Sequence, residues 1–155
     1  NYPEEEGENA DMEEKTALRE GLMTALEQLY QLPAFSDLAA LLQGEARVLQ
    51  YLALHREEAV YPSAVAEALR LSRPRITAAL NSLGRKGFLT LAPSREDRRK
   101  VRVVITEAGL AQIGGQYETV RGYFDRLLSG LGAEDSRELA RLVGRCAAVM
   151  EGEAQ

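Results

Sequence analysis

Cysteine and histidine each occur once in this chain, as Cys146 and His55. A lone cysteine cannot close an internal disulfide, so a disulfide scaffold is excluded and a reducing, cytoplasmic setting is the simplest expectation. A lone histidine excludes a His-rich metal site, and neither a metal nor a cofactor is expected. No apolar run approaches the ~18 residues that a membrane span requires. The longest are five residues, such as Leu38 to Leu42. No basic n-region followed by an apolar h-region is visible, so no export signal is expected. The chain also lacks an internal repeat, a nucleophile–base pair, a Gly-rich phosphate loop and a metal-spaced cluster, which argues against an enzyme.

What is present is an ordinary globular composition, 45% hydrophobic and 28% charged over 155 residues. That length suits one domain able to bury about 70% of its unfolded surface. The formal net charge is −5, which taken alone speaks against a nucleic-acid partner. Its distribution speaks the other way. Residues 70–102 hold ten cationic side chains against Glu96 and Asp97, a net +8 in 33 residues, leaving −13 for the other 122. Charge concentrated in this way suits a polyanion-binding surface, because neutralising phosphates releases condensed counterions. A charge run alone more commonly marks a solvated face. The local structure on which these cations fall therefore decides between the two.

Residues 1–11 are strongly acidic and offer little to bury, and read as a mobile leader. From Met12 a helical stripe sets in at Leu18, Leu22, Ala25, Leu26 and Leu29, ended by Pro33. Ser36 is a candidate cap for a short helix through Leu42, stopped by Gly44. Glu45 to His55 forms another helix, and Ser63 stands where the N-cap of the next would be. Arg70, Leu71 and Ser72 then connect to a helix opened by Ser72 and Pro74. In that helix Ile76, Ala79, Leu80 and Leu83 share one face, while Pro74, Ala78, Asn81 and Arg85 look the other way, flanked by Arg75 and Thr77. Two short helices around a tight turn, the second with a small, polar and basic outer face, make a helix-turn-helix. Phe88 to Ala92 and Lys100 to Ile105 read as two strands around a charged tip, Pro93 to Arg99. A hairpin placed there is a wing. Thr106 caps a helix to about Leu128, with Gly114 and Gly115 suggesting a kink or a close backbone approach. Gly130 and Gly132 break the chain before a last helix, Ala133 to Met150.

With these residues in place, the chain resembles the MarR family of bacterial transcriptional regulators over residues 12–150. The motifs are Leu69-Arg70-Leu71-Ser72 before the second helix, Leu83-Gly84-Arg85-Lys86-Gly87-Phe88 after it, Asp97-Arg98-Arg99-Lys100 in the wing, and Ile105-Thr106-Glu107-Ala108-Gly109 opening the next helix. Each is weak alone, but four in this order and spacing are specific. The fold class expected is mainly α with a small β-hairpin wing: a winged helix-turn-helix (35–105) flanked by dimerisation helices (12–32 and 106–150), with a tail at 151–155. The resemblance implies an obligate homodimer, and the apolar stripes of the flanking helices agree, since a winged helix of some 70 residues cannot cover them.

The function expected is a sequence-specific DNA-binding regulator. The resemblance further implies a repressor, released from a pseudo-palindromic operator by a small, often aromatic or lipophilic, effector. Arg73, Arg75, Thr77 and Asn81 suit base edges in the major groove, arginine pairing with guanine and asparagine with adenine. Ser72, with Pro74 and the first-turn N–H groups, suits a phosphate. In the wing, Asp97 and Arg99 match the family's Asp-x-Arg element, whose acid orients a minor-groove arginine; a role confined to stapling the hairpin is compatible with this. Arg95, Arg98 and Lys100 would lie against phosphates. By position Tyr30, Phe35 and Tyr51 are candidates for the effector pocket, with core packing as the preferred alternative. Cys146 reads as a buried structural cysteine rather than a redox sensor, which needs exposure and a low pKa, and His55 as an ordinary side chain rather than a ligand. The alternative from another class is a winged helix that docks an acidic protein through the same basic strip.

Overall fold

The helical spacing of Ile76, Ala79, Leu80 and Leu83 turns one face of a helix inward, and that face is the centre of the core. In the computed structural model, which describes residues 3–153, the elements run in the order α1 (Pro3–Tyr30), α2 (Pro33–Leu41), α3 (Gly44–Leu54), α4 (Pro62–Leu69), α5 (Arg73–Arg85), β1 (Leu89–Pro93), β2 (Val101–Ile105) and α6 (Glu107–Glu153). Ile76, Leu80 and Leu83 of α5 are buried together with Val48, Leu49 and Leu52 of α3, Val65 and Leu69 of α4, Leu89 and Val103 of the hairpin, and Ile113 and Val120 of α6. Burying each such side chain contributes about 1.5–3 kcal/mol. Among the described residues, every buried apolar side chain lies between Leu41 and Val120. The core thus belongs to the winged helix and the first half of α6.

The wing is a two-stranded antiparallel sheet in which Leu89 pairs with Ile105 and Pro93 with Val101. A third rung forms where Val103 N–H donates to Val60 O at 2.8 Å. The turn between α4 and α5 is a Schellman motif: Arg70 sits in the left-handed region (φ 52°, ψ 45°), Leu71 N–H donates to Ala66 O and Arg70 N–H to Glu67 O. The two helices of the helix-turn-helix are thereby set by backbone bonds across three residues.

Several boundaries differ from the sequence reading. Helix α1 runs back to Pro3, through the segment expected as a mobile leader; only residues 1–2 of that leader lie outside the described residues. Pro33 and Pro62 open α2 and α4, placing the N-caps at Leu32 and Tyr61 in place of Ser36 and Ser63. Gly44 (φ 55°) begins α3. Gly114 and Gly115 lie in unbroken helix with nothing near their α-carbons, held by Ile113 and Val120, which are buried on either side of them. The break in α6 falls at Gly132 alone (φ 78°, ψ 170°), and helix continues to Glu153 through most of the expected tail; residues 154–155 lie outside the described residues.

The close backbone approach expected at the glycine pair occurs instead at Gly109, where a β-carbon would stand 2.1 Å from Phe88 O. Thr106 is the N-cap expected: Gly109 N–H donates to its Oγ1 (3.1 Å) while the hydroxyl donates to Gly87 O (2.7 Å). This joint ties the end of α5 to the start of α6. The flanking helices leave apolar side chains uncovered, with Leu18 67%, Leu22 59% and Leu26 54% exposed on α1, and Leu142 43% and Val143 59% exposed beyond Gly132. Among the described residues no helix is long and apolar enough to cross a membrane.

Candidate nucleic-acid interface

Helix α5 exposes Arg73, Pro74, Arg75, Thr77 and Asn81 to solvent while it buries Ile76, Leu80 and Leu83. Ser72 is the N-cap by backbone geometry (φ −67°, ψ 155°), yet its hydroxyl makes no capping bond and is exposed. The first turn therefore keeps open donors at the positive end of the helix. Thr77 differs: its hydroxyl donates to Arg73 O at 2.9 Å, which leaves only acceptor capacity and a methyl group outward.

In the wing, Arg95, Arg98, Arg99 and Lys100 are all exposed and Asp97 is half-buried. Asp97 Oδ1 accepts from Arg99 N–H (3.0 Å), and Lys100 N–H donates to Asp97 O (2.9 Å). These bonds describe an Asx-type turn closed by a β-turn. No ion pair joins Asp97 to the Arg99 guanidinium among the described residues. Stapling the hairpin is thus what the acid does here; the arginine is aimed through its backbone and not by a carboxylate–guanidinium contact.

The helix and the wing converge on a groove of about 570 Å³ whose lining includes Tyr61, Ser63, Arg73, Thr77 and Lys100. The Lys100 ammonium lies 5.7 Å from the centre of the Tyr61 ring, within cation–π range. The Tyr61 and Ser94 hydroxyls share a hydrogen bond of 3.0 Å, and Glu96 N–H donates to Ser94 Oγ. Ser94, read from sequence as one more turn residue, is 3% exposed.

At the far end of α5, Lys86 pairs with Glu45 of α3. Hydrogen bonds from Lys86 and then Ser82 hold the Glu45 carboxyl below the usual carboxylate range, against an opposing effect of burial. One of the ten cations of residues 70–102 is therefore neutralised within the chain. Sequence reasoning missed this pair because its members lie 41 residues apart.

The expected effector residues are not drawn together. Tyr30 is 71% exposed on α1, and so is not a core residue in this chain. Phe35 is half-buried on α2, and Tyr51 stacks on His55 with ring centroids 4.3 Å apart. His55 Nδ1 also lies 3.2 Å from Glu58 Oε1. The cleft between α2 and α6, about 220 Å³, is lined instead by Asp37, Ala40, Leu41, Gln116 and Thr119. Cys146 is exposed rather than buried, since the segment after Gly132 lies outside the core.

Comparison with known proteins shows what part of the chain resembles a family. Residues 38–100 match the MarR family. The chain is 31% identical over 87 residues to the HTH-type transcriptional regulator PecS of Dickeya dadantii (strain 3937), a match covering 56% of this chain and 52% of PecS. The chain thus spans about half the length of that relative. In fold it is similar to YusO from Bacillus subtilis (TM-score 0.67, 18% identity, 88% of this chain and 96% of that one). It is similar also to a mutant of S. aureus MepR bound to an oligodeoxyribonucleotide (TM-score 0.60, 18% identity, 84% of this chain and 97% of that one).

Proposed function

We propose, from the premise that this chain carries a MarR-family domain at residues 38–100, that the protein is a sequence-specific DNA-binding transcriptional regulator and acts as a homodimer. The observation that carries this reading is that α5 and the wing each expose a set of cations and border one groove, Arg73 lining it from the helix and Lys100 from the wing. Helix α5 enters the major groove, where Arg73, Arg75 and Asn81 carry donors that span base edges. Ser72, Pro74 and Thr77 lie close enough to the first turn to contact phosphate or a thymine methyl group. Arg99 enters the adjacent minor groove while Arg95, Arg98 and Lys100 hold its phosphates. The structure of a MepR mutant with bound oligodeoxyribonucleotide supports this use of the fold.

The homodimer follows from the uncovered apolar faces of α1 and of the segment beyond Gly132, which a second copy of the chain buries in a two-fold interface. Two reading heads then face half-sites about one turn, roughly 34 Å, apart. The regulator is a repressor released by a small molecule. Its seat in this reading is the cleft between α2 and α6, where Gln116 Oε1 is buried without a partner.

Selection from random duplexes followed by footprinting tests the proposal. A pseudo-palindromic site is expected, with affinity that falls steeply in salt, the log–log slope growing by about 0.9 for each phosphate neutralised. Binding without sequence preference, or an asymmetric single half-site, would overturn it.

A further inference from the structure

We infer that Tyr61 is a positioning residue for the wing: its phenol latches the tip of the hairpin to the helix-turn-helix and fixes the direction in which the wing arginines point. The inference rests on the DNA-binding reading above and extends it to a residue outside both basic surfaces.

The hairpin strands are held by their own ladder, by the rung between Val103 and Val60, and by Leu89 and Val103, which are buried in the core. Those contacts determine the plane of the wing near its base. Beyond Pro93 the chain leaves the sheet, and the loop that carries Arg95, Arg98 and Arg99 is organised around Ser94. Ser94 N–H donates to Lys100 O at 2.8 Å, closing the loop, and Glu96 N–H donates to Ser94 Oγ at 3.3 Å. Ser94 is itself buried, at 3% exposure, although it sits in the most polar segment of the chain. A buried hydroxyl needs its hydrogen-bonding capacity met, and beyond the bond from Glu96 N–H its partner is Tyr61, whose oxygen lies 3.0 Å away.

Tyr61 is the N-cap residue of α4. The bond to Ser94 is the one side-chain hydrogen bond, among the described residues, that joins the wing loop to the helices. The tyrosine ring adds a second tie by facing the Lys100 ammonium at the other end of the same loop. The ring also lines the groove with Arg73 and Thr77 of α5. One side chain therefore touches both ends of the wing loop and the groove that the reading helix borders. Without the latch the loop pivots on the strands alone, and the guanidinium groups must be ordered when DNA binds, at a cost in affinity.

Tyr61→Phe removes the hydroxyl and keeps the ring, its packing and the cation–π contact. In the free protein, amide exchange at Ser94 and Glu96 is expected to speed up by about threefold to tenfold, the worth of one hydrogen bond, with the core amides of α5 unchanged. On the selected duplex, affinity is expected to fall by a similar factor. A double-mutant cycle separates positioning from general loss of structure: Arg99→Ala should cost less in the Tyr61→Phe background than in the wild type, and Arg75→Ala should cost the same in both. Unchanged exchange at Glu96 in Tyr61→Phe would overturn the latch whatever the protein binds. Faster exchange with full additivity between Tyr61→Phe and Arg99→Ala would overturn its role in aiming the arginine. A wild-type chain with no duplex preference would instead refute the DNA-binding reading, and the exchange result would still decide the latch.

Discussion

Replacing Gly109 with alanine sets two physical effects of opposite sign against each other. In an unobstructed helix interior, Gly→Ala stabilises by about 1 kcal/mol, through helix propensity and a less disordered unfolded chain. At Gly109 the new β-carbon would stand 2.1 Å from Phe88 O, 2.8 Å from Ile105 Cγ1 and 3.0 Å from Phe88 C. The oxygen is backbone and is engaged by Thr106 N–H at 3.0 Å, so it cannot swing aside as the end of a long side chain would. Relief requires α6 to lift away from the start of β1, an overpacking cost of about 1–3 kcal/mol. The same movement loosens the Thr106 bonds to Gly87 O and from Gly109 N–H, each worth about 1 kcal/mol. Set against the propensity gain, the net loss is about 2–4 kcal/mol, or a fall of roughly 5–15 °C in Tm for a chain of this size. Gly114 and Gly115, with nothing within 4 Å of an added β-carbon, supply the controls and should each gain about 1 kcal/mol as alanine. Thermal and urea melts serve as the assay, at one fixed protomer concentration because the proposed dimerisation would couple to stability. If Gly109→Ala were stabilised as Gly114→Ala is, the joint between α5 and α6 would not be a constraint.

Three further outcomes are expected. Asp97→Ala removes the acceptor of Arg99 N–H and should weaken operator binding by about threefold to tenfold, whereas Asp97→Asn keeps the turn and should lose little; equal losses in an anisotropy titration would show that charge, not the turn, aims the wing. The Glu45 carboxyl is held below its ordinary value near 4.5 by the bonds from Lys86 and Ser82. Its contribution is therefore fully present above that value and is lost as pH falls through the lower folded-state value. Stability in Glu45→Gln should trail the wild type by less than about 1 kcal/mol at pH 7, since the pair is half-exposed, and the gap should close as pH falls below the folded-state value; a gap independent of pH in urea melts would refute the linkage. Leu22→Asp places a charge in the exposed stripe of α1 twice per two-fold dimer, which should weaken association by at least about 100-fold. Sedimentation showing an unchanged dimer would move the interface away from α1.

Much of the fold was legible because the signals that define it are local. Helix α5 announces itself through Ile76, Ala79, Leu80 and Leu83 on one side and Pro74 at its start. The wing follows from an alternating strand on either side of a charged tip. The errors share a cause as well. Pro33 and Ser36, and likewise Pro62 and Ser63, each offer two competing start signals within four residues, and proline in the first turn wins because its missing N–H costs nothing there. At Gly114 and Gly115 the intrinsic cost to a helix is real, but burial of Ile113 and Val120 on the same helix outweighs it. Gly109, with a far closer neighbour, carried no local sign of it, because the atom it would strike belongs to Phe88, 21 residues earlier.

The candidate interface divides in the same way. Charge and exposure along α5 and the wing are one-dimensional properties, and all eleven residues singled out for DNA lie on those two surfaces. Pairing is not one-dimensional. Tyr61 meets Ser94 across 33 positions and Lys86 meets Glu45 across 41, and no spacing rule links either pair. These partners change the electrostatic picture. The Lys86 charge is neutralised near the C-terminal end of α5, whereas Arg73, Arg75, Arg95, Arg98, Arg99 and Lys100 have no ion-pair partner among the described residues. Among the same residues Arg85, beside Lys86, is unpaired as well, as are Arg70 and Arg102, and two of the unpaired cations, Arg73 and Lys100, border the same groove. An acidic body of −13 repels a phosphate backbone from other directions. For the proposed duplex, the docking orientation would accordingly be set by the nine cations of residues 70–102 that remain unpaired among the described residues, all but Lys86.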